Sequence, residues 1–304
     1  MGFVTDINQL RGTVDADGWA GVQLAARSTP CLQAELIRST DPARYQADLE
    51  GAADRHDDLV IAASFLLTDA VEAAAQHRPA TRYVLVDPLV TPPAQGNLAI
   101  VSFREDQAAF LAGALAGMIT TTNVLGGVYG LEGGAVTRYR WGFEQGARYV
   151  NPSVRLLGTY QGAQDGAPFG NPDWGAAQAR HFLTQGADVI FGAGGSTGQG
   201  ALLAAAQAGR RCIGAEVDEY VTDRAAASCL LTSAVTHVDQ AVEVEVLDAL
   251  AGRWVSGSRA FGIGEGGVGL APYHELDAAV MPAMRQRLGA ITAELAAGRL
   301  LDRN

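Results

Sequence analysis

Lysine is missing from this sequence of 304 residues: all 22 basic residues are arginine, set against 33 aspartates and glutamates, for a formal net charge of −11. So acidic a chain lacks the basic surface that nucleic acid or an anionic membrane face requires, and both are excluded as partners. Long hydrophobic runs are also missing. The longest, residues 108–119, is interrupted by Gly113 and Gly117, is too short to span a bilayer and reads as a buried helix. Aromatic residues make up only 7%. The three cysteines, Cys31, Cys212 and Cys229, have no metal-ligand spacing. Cys212 and Cys229 lie in strand-like runs and could pair if those strands are neighbours, or could simply be small buried side chains. No basic segment followed by an apolar one opens the sequence, so the expectation is either a cytoplasmic protein or one whose export segment lies outside it.

What is present is enough to fold. Hydrophobic residues reach 48%, which offsets the entropy of ordering and excludes a disordered chain. The length suits two domains or one large one. Apolar runs of four to six residues alternate with amphipathic stretches. Strands are predicted near residues 3–7, 59–64, 82–87, 124–129, 154–160, 188–192 and 211–217, with helices near 17–28, 68–76, 106–121, 136–149, 173–185, 200–208 and 239–252. Continuous apolar strands each followed by a helix indicate parallel sheets covered on both faces. The expected class is α/β, arranged as two Rossmann-like lobes.

Ligands of such sheets bind beyond the carboxyl ends of the strands. That rule selects Thr5 and Asp6, Ser64 and Phe65, Asp87, the stretch 192–200, and Glu216 to Asp218. The acids recur there, and carboxylates accept hydrogen bonds from hydroxyls and amines, which suits a sugar-like or nucleoside-like ligand. Each could equally cap the helix that follows. The stretch 189–200 (VIFGAGGSTGQG) is a strand, a glycine turn and a helix start, with Ser196 or Thr197 available as N-cap. Glu216 follows it at a distance that mimics a dinucleotide fingerprint, but Gly192, Gly194 and Gly198 are spaced G-x-G-x-x-x-G, which is not that fingerprint. The five histidines sit beside no nucleophile elbow, catalytic cysteine or zinc motif. Asp57 and Asp58 beside His56 could hold a metal but read more simply as solvated charge. Nothing demands an enzyme, and no cofactor is expected.

The ordered motifs Thr5-Asp6, Gly18-Trp19-Ala20-Gly21, Phe103-Arg104-Glu105, Phe110-Leu111-Ala112-Gly113, Gly142-Phe143 to Gly146, Asn151-Pro152, 194–200, Ile213 to Asp218, 231–235 and 266–272 resemble the basic membrane protein (BMP) family. Its members are substrate-binding lipoproteins of ABC transporters, the purine nucleoside receptors among them. The resemblance implies a type I periplasmic-binding-protein fold of two lobes with a ligand cleft between them, here residues 1–119 with 238–262 and residues 120–237 with 263–304. It also implies an extracytoplasmic solute-binding protein that serves an ABC permease, held at the membrane only by a lipid anchor outside this sequence. Sensing for a signalling partner, or an NAD-dependent oxidoreductase, are the alternatives.

Carried over residue by residue, the resemblance places Asp6 at the family's first-strand acid. Val14 and Asp15 fall where the family has a stacking Phe and an Asn, and Glu105 or Asp106 matches the acid before the 110–113 motif. Phe169 is the expected stacking ring, with Trp174 as the alternative. Gly194 falls on the ligand-facing glycine and Glu216 or Asp218 on the ribose acid. Thr236 stands where the family has Lys. With Phe65 from the strand-end rule, these residues form the expected ligand set. Val14 cannot stack, and an ionised Asp15 accepts without donating, so the expected ligand is nucleoside-like or a related small polar molecule that donates hydrogen bonds.

Overall fold

Leu59–Ala62 (LVIA) and Tyr83–Val86 are buried at every position, the condition of a parallel strand with a helix on each face. The computed structural model describes residues 1–6, 13–167 and 169–301. The elements, in chain order, begin with β1 (Gly2–Thr5), α1 (Thr13–Ser28), β2 (Glu35–Arg38), α2 (Tyr45–Asp54), β3 (Leu59–Ala62), α3 (Thr68–His77), β4 (Arg82–Val86) and β5 (Leu98–Phe103). Next come α4 (Glu105–Ile119), β6 (Val124–Tyr129), α5 (Gly134–Val150), β7 (Arg155–Tyr160), α6 (Pro172–Thr184), β8 (Val189–Ala193) and α7 (Gly195–Gln207). The chain ends with β9 (Arg211–Glu216), α8 (Glu219–Thr222), β10 (Leu230–Thr236), α9 (Val238–Leu250), β11 (Gly257–Phe261), β12 (Val268–Leu270) and α10 (Pro282–Ala296).

Two units result. The first comprises Met1–Phe103 and His237–Phe261, the second Arg104–Thr236 and Gly262–Asn304. The first unit has an all-parallel sheet in the order β11-β5-β4-β3-β1-β2. The second has the order β12-β10-β9-β8-β6-β7, with β12 antiparallel at its edge. In each sheet the strand order reverses once: between β1 and β3 in the first unit, and between β6 and β8 in the second. Such switch points leave a crevice outside the carboxyl ends of the strands, the usual place for a ligand in an open α/β sheet.

The helix after Phe103 belongs to the second unit, so the chain crosses at 103/104 instead of the expected 119/120. The reason is its packing against α5. A Cβ on Gly113 would lie 2.0 Å from the Phe143 carbonyl oxygen, and one on Gly146 would lie 1.9 Å from that of Phe110. Only hydrogen at both positions lets the two backbones meet. The 110–113 and 142–146 motifs are therefore scaffold. Strands β2, β5, β11 and β12 and helices α2, α8 and α10 were not anticipated, and β10 was read only as a strand-like run at Cys229. β2 and β11 are short edge strands with exposed ends (Glu35 and Arg38; Ser258 to Ala260), so the apolar run that marks a central strand is missing from both. Cys212 and Cys229 form a disulfide between β9 and the turn leading into β10, and Cys31 is free and exposed. Among the described residues no helix is long and apolar enough to cross a membrane, and no group of His, Cys, Asp and Glu could hold a metal ion.

Candidate functional site

In the first unit, the β1/β3 switch point carries Asp6 and Ser64. Both are buried, and the Ser64 hydroxyl donates to Asp6 Oδ2 at 2.7 Å. Ser64 also caps the short turn Phe65–Leu67, accepting the Leu66 N–H; this leaves Phe65 at the rim, 39% exposed. Asp15 approaches from the first turn of α1, 2% exposed, with its Oδ2 accepting the Asp6 N–H at 3.2 Å. Burial, and after it the charge of Asp6, push the Asp15 carboxyl up to about 8. Asp15 is therefore largely protonated at neutral pH. Asp15 Oδ1 and the hydroxyl of Thr5 are buried without a hydrogen-bond partner. Val14, the preceding residue, is half-buried and offers only an aliphatic surface. Asp87 ends β4 with φ +53°, a left-handed conformation uncommon outside glycine and found where a strand end turns sharply.

In the second unit, the β6/β8 switch point is made of glycine. The Gly130 N–H donates to the Ala193 carbonyl at 2.9 Å. Gly194 has φ +153°, and a Cβ there would lie 2.3 Å from the Gly130 nitrogen. The Phe169 ring lies directly on Gly130, where an added Cβ would meet two ring carbons at 2.4 Å. Phe169 is half-buried with φ +58°, and its carbonyl accepts the Ser196 hydroxyl at 3.1 Å and the Thr197 N–H at 3.3 Å. Helix α7 thus starts at Gly195, capped by Gly194 without a side-chain bond. Ser196 and Thr197 lie in its first turn and are not the N-cap residues expected. The Phe169 carbonyl takes the place at this helix start that an anion would occupy, so the turn does not act as a dinucleotide phosphate cradle.

A buried polar node fastens the Phe169 loop. The Thr197 hydroxyl donates to Gln161 Oε1 at 2.8 Å and accepts the Asn171 N–H at 3.0 Å. Gln161 Nε2 in turn donates to the Ala167 carbonyl at 2.9 Å. Sequence reasoning missed Gln161, which sits in an unremarkable polar stretch, and took Thr197 for an N-cap; both acquire their role only through tertiary contact. Trp174 packs against the core of this unit, and its N–H is capped by Asn171 Oδ1. Phe169 is therefore the ring at the rim.

The remaining rim residues are engaged. Glu105, 1% exposed, forms an ion pair with Arg138, whose Nη2 lies 3.2 Å from Oε1. Asp106, fully buried, holds Arg104 through two bonds at 2.9 and 3.0 Å. Its carbonyl oxygen would meet a Cβ on Gly142 at 2.2 Å. Asp106 is thus built into the scaffold. Glu216 ends β9 with φ +70°, and its N–H donates to the Tyr139 hydroxyl at 3.2 Å. The Thr236 hydroxyl donates to the Glu216 carbonyl at 3.4 Å, which brings Glu216, Thr236 and Tyr139 together. Asp218 caps α8 and accepts His274 Nε2 at 2.7 Å. Beside it, burial pushes buried Glu219 up to about 7 against the pull of Gln199.

Three comparisons place this geometry among known proteins. Residues 14–291 match the family described as ABC transporter substrate-binding protein PnrA-like. The chain is similar to a CD4+ T-cell-stimulating antigen of Listeria monocytogenes, 27% identical over 275 residues, covering 84% of this chain and 75% of that one. It is also similar to basic membrane protein A of Borreliella burgdorferi, 28% identical over 239 residues, covering 77% and 68% respectively. An ABC transporter solute-binding protein of Aeropyrum pernix superposes with a TM-score of 0.78 at 22% identity, covering 98% of this chain and 91% of that one. The fold is the type I periplasmic-binding-protein fold.

Proposed function

The chain belongs to the family of PnrA-like ABC transporter substrate-binding proteins, and from that premise we propose that it captures a nucleoside-like or related small polar solute. Solute-binding proteins are not a class of enzyme, and they work with an ABC permease. The observation that carries the ligand reading is the Phe169 ring, seated on Gly130 at the β6/β8 switch point by a loop tied to Thr197 and Gln161. A half-exposed ring held in a fixed orientation is a stacking surface for a flat heterocycle. In the second unit Glu216 and Glu105, and in the first unit Asp6 and Asp15, are the acids proposed to accept hydrogen bonds from hydroxyl and N–H groups of the solute. Val14, Phe65, Gly194, Asp218 and Thr236 complete the proposed set as shape-defining or positioning residues.

The same reading places the protein outside the cytoplasm, anchored by lipid or free in the periplasm. The Cys212–Cys229 disulfide supports this, since such bonds persist in oxidising compartments. Calorimetry with a panel of nucleosides and nucleobases tests the ligand. A heat of binding is expected for at least one member, and mass spectrometry of gently purified protein is expected to find a related compound. Silence from the whole panel at about millimolar concentration, an affinity of only about −4 kcal/mol, would refute the nucleoside reading.

A further inference from the structure

We propose that Asp15, buried beside Asp6 with its Oδ1 left as an acceptor, selects an uncharged ligand presenting an N–H or O–H donor. The inference rests on the reading of the β1/β3 switch point as part of the solute site. Asp15 lies against Asp6, its Oδ2 accepting the Asp6 N–H. The Ser64 hydroxyl donates to Asp6 Oδ2. Asp15 is almost wholly buried beside a second carboxyl, and both circumstances favour its neutral form.

Two atoms point to a missing partner. Asp15 Oδ2 is already used by the Asp6 N–H, whereas Asp15 Oδ1 is buried and unpartnered. The Thr5 hydroxyl, fully buried, is unpartnered as well. Thr5 shares its strand face with Phe3, whose ring would touch a Cβ on Gly18 at 2.9 Å. Gly18 lies one turn after Asp15 on α1, so the Thr5 hydroxyl faces the end of that helix where Asp15 stands. Buried polar atoms are nearly always satisfied in a working site, and a donor on the ligand would satisfy Asp15 Oδ1.

The surrounding charge agrees. β1 contributes Asp6, and α9 contributes Asp239, which faces Asp17; burial, and after it Asp239, push Asp17 up to about 6. A second negative charge on Asp15 would be added to an acidic, water-poor place. An uncharged ligand that covers the pair deepens that penalty, so binding favours the protonated form.

The test uses adenosine as probe, with calorimetry from about pH 6 to about pH 9.5 on the wild type and on Asp15→Asn, whose amide has no proton to lose in this range. Wild-type affinity is expected to hold to about pH 8 and then to fall by about tenfold per pH unit, the slope for one linked proton. The Asp15→Asn profile is expected to be flat whatever its absolute affinity. A flat wild-type profile, or one that rises with pH, overturns the proposal while leaving a binding protein intact. If no nucleoside binds, the nucleoside reading has failed, and thermal melts over the same pH range still decide on the proton. Wild-type Tm is expected to fall relative to Asp15→Asn up to about pH 8 and to run parallel above it; parallel melts throughout overturn a proton held on Asp15.

Discussion

Reducing the Cys212–Cys229 disulfide is expected to destabilise the second unit by about 3 kcal/mol. The two cysteines are 17 residues apart, and closing a loop of that length removes about 10 cal/mol/K from the unfolded chain, or about 3 kcal/mol at room temperature. Both sulfurs lie in the core, Cys212 fully buried and Cys229 at 2% exposure, so the reduced thiols find no new solvation in the folded state to offset the loss. For a unit of this size each kcal/mol moves Tm by about 2–4 °C, which puts the reduced protein about 6–12 °C below the oxidised one. The assay is differential scanning calorimetry of protein refolded with and without reductant, preceded by thiol titration in denaturant. The oxidised protein is expected to release one reactive thiol, that of exposed Cys31. Cys31→Ala serves as a control that leaves Tm in place. Three reactive thiols before reduction, or melts that coincide to within about 1 °C, would refute the reasoning and remove the structural support for an oxidising compartment.

Phe169→Ala is expected to weaken nucleoside binding by roughly 1–3 kcal/mol, the range for loss of a base-stacking ring, as read by calorimetry; an unchanged affinity would remove Phe169 from the site. Gly113→Ala forces a methyl to within 2.0 Å of the Phe143 carbonyl oxygen and is expected to cost at least about 1–3 kcal/mol of stability in chemical denaturation. Asp188 accepts bonds from the Thr120 hydroxyl, the Thr121 N–H and hydroxyl, and the Thr122 N–H. Burial works to raise its carboxyl and these bonds outweigh it, holding it below the usual range. Its stabilisation is thus present above the unfolded value of about 3.9 and is lost as pH falls through the lower folded value. Asp188→Asn is expected to lower stability at neutral pH by about 1.5–3 kcal/mol and to flatten the acid limb of a Tm-against-pH curve. An acid limb identical to that of the wild type would show that these bonds carry no charge-assisted stability.

The fold was legible at most places where burial is written into local sequence, the buried run Leu98–Phe103 being the exception. Leu59–Ala62 and Val189–Ala193 are covered on both faces and read as strands from their apolar runs alone. The edge strands Glu35–Arg38 and Gly257–Phe261 were not, because an edge strand alternates with solvent and carries charge. The unit boundary was misplaced for a related reason. Residues 105–119 are nearly apolar all round, so their sequence marks them as buried without showing what buries them, and the answer lies in glycines 142 and 146 on another helix. Strand-end residues such as Asp6, Ser64 and Glu216 followed from position alone, since a parallel sheet delivers them to its carboxyl edge. Gln161 and Tyr139 could not follow, because each is tied to the rim through long-range hydrogen bonds.

The absence of lysine takes on a physical sense at the rims. In the second unit two buried acids meet fixed partners: Glu105 meets Arg138 and Asp106 meets Arg104. Planar guanidinium groups match carboxylates in paired bonds and hold one orientation, which a mobile ammonium does not. At the position where the resemblance places a family lysine, Thr236 has only a hydroxyl, and that hydroxyl is turned to the Glu216 carbonyl. Asp15 in the first unit is held beside another carboxyl instead of a cation. A buried carboxyl in that position lowers its free energy by keeping a proton. A chain that brings no ammonium of its own to these rims therefore leaves the donation of hydrogen bonds to the solute, and its specificity is expected to follow the solute's N–H and O–H groups more than its charge.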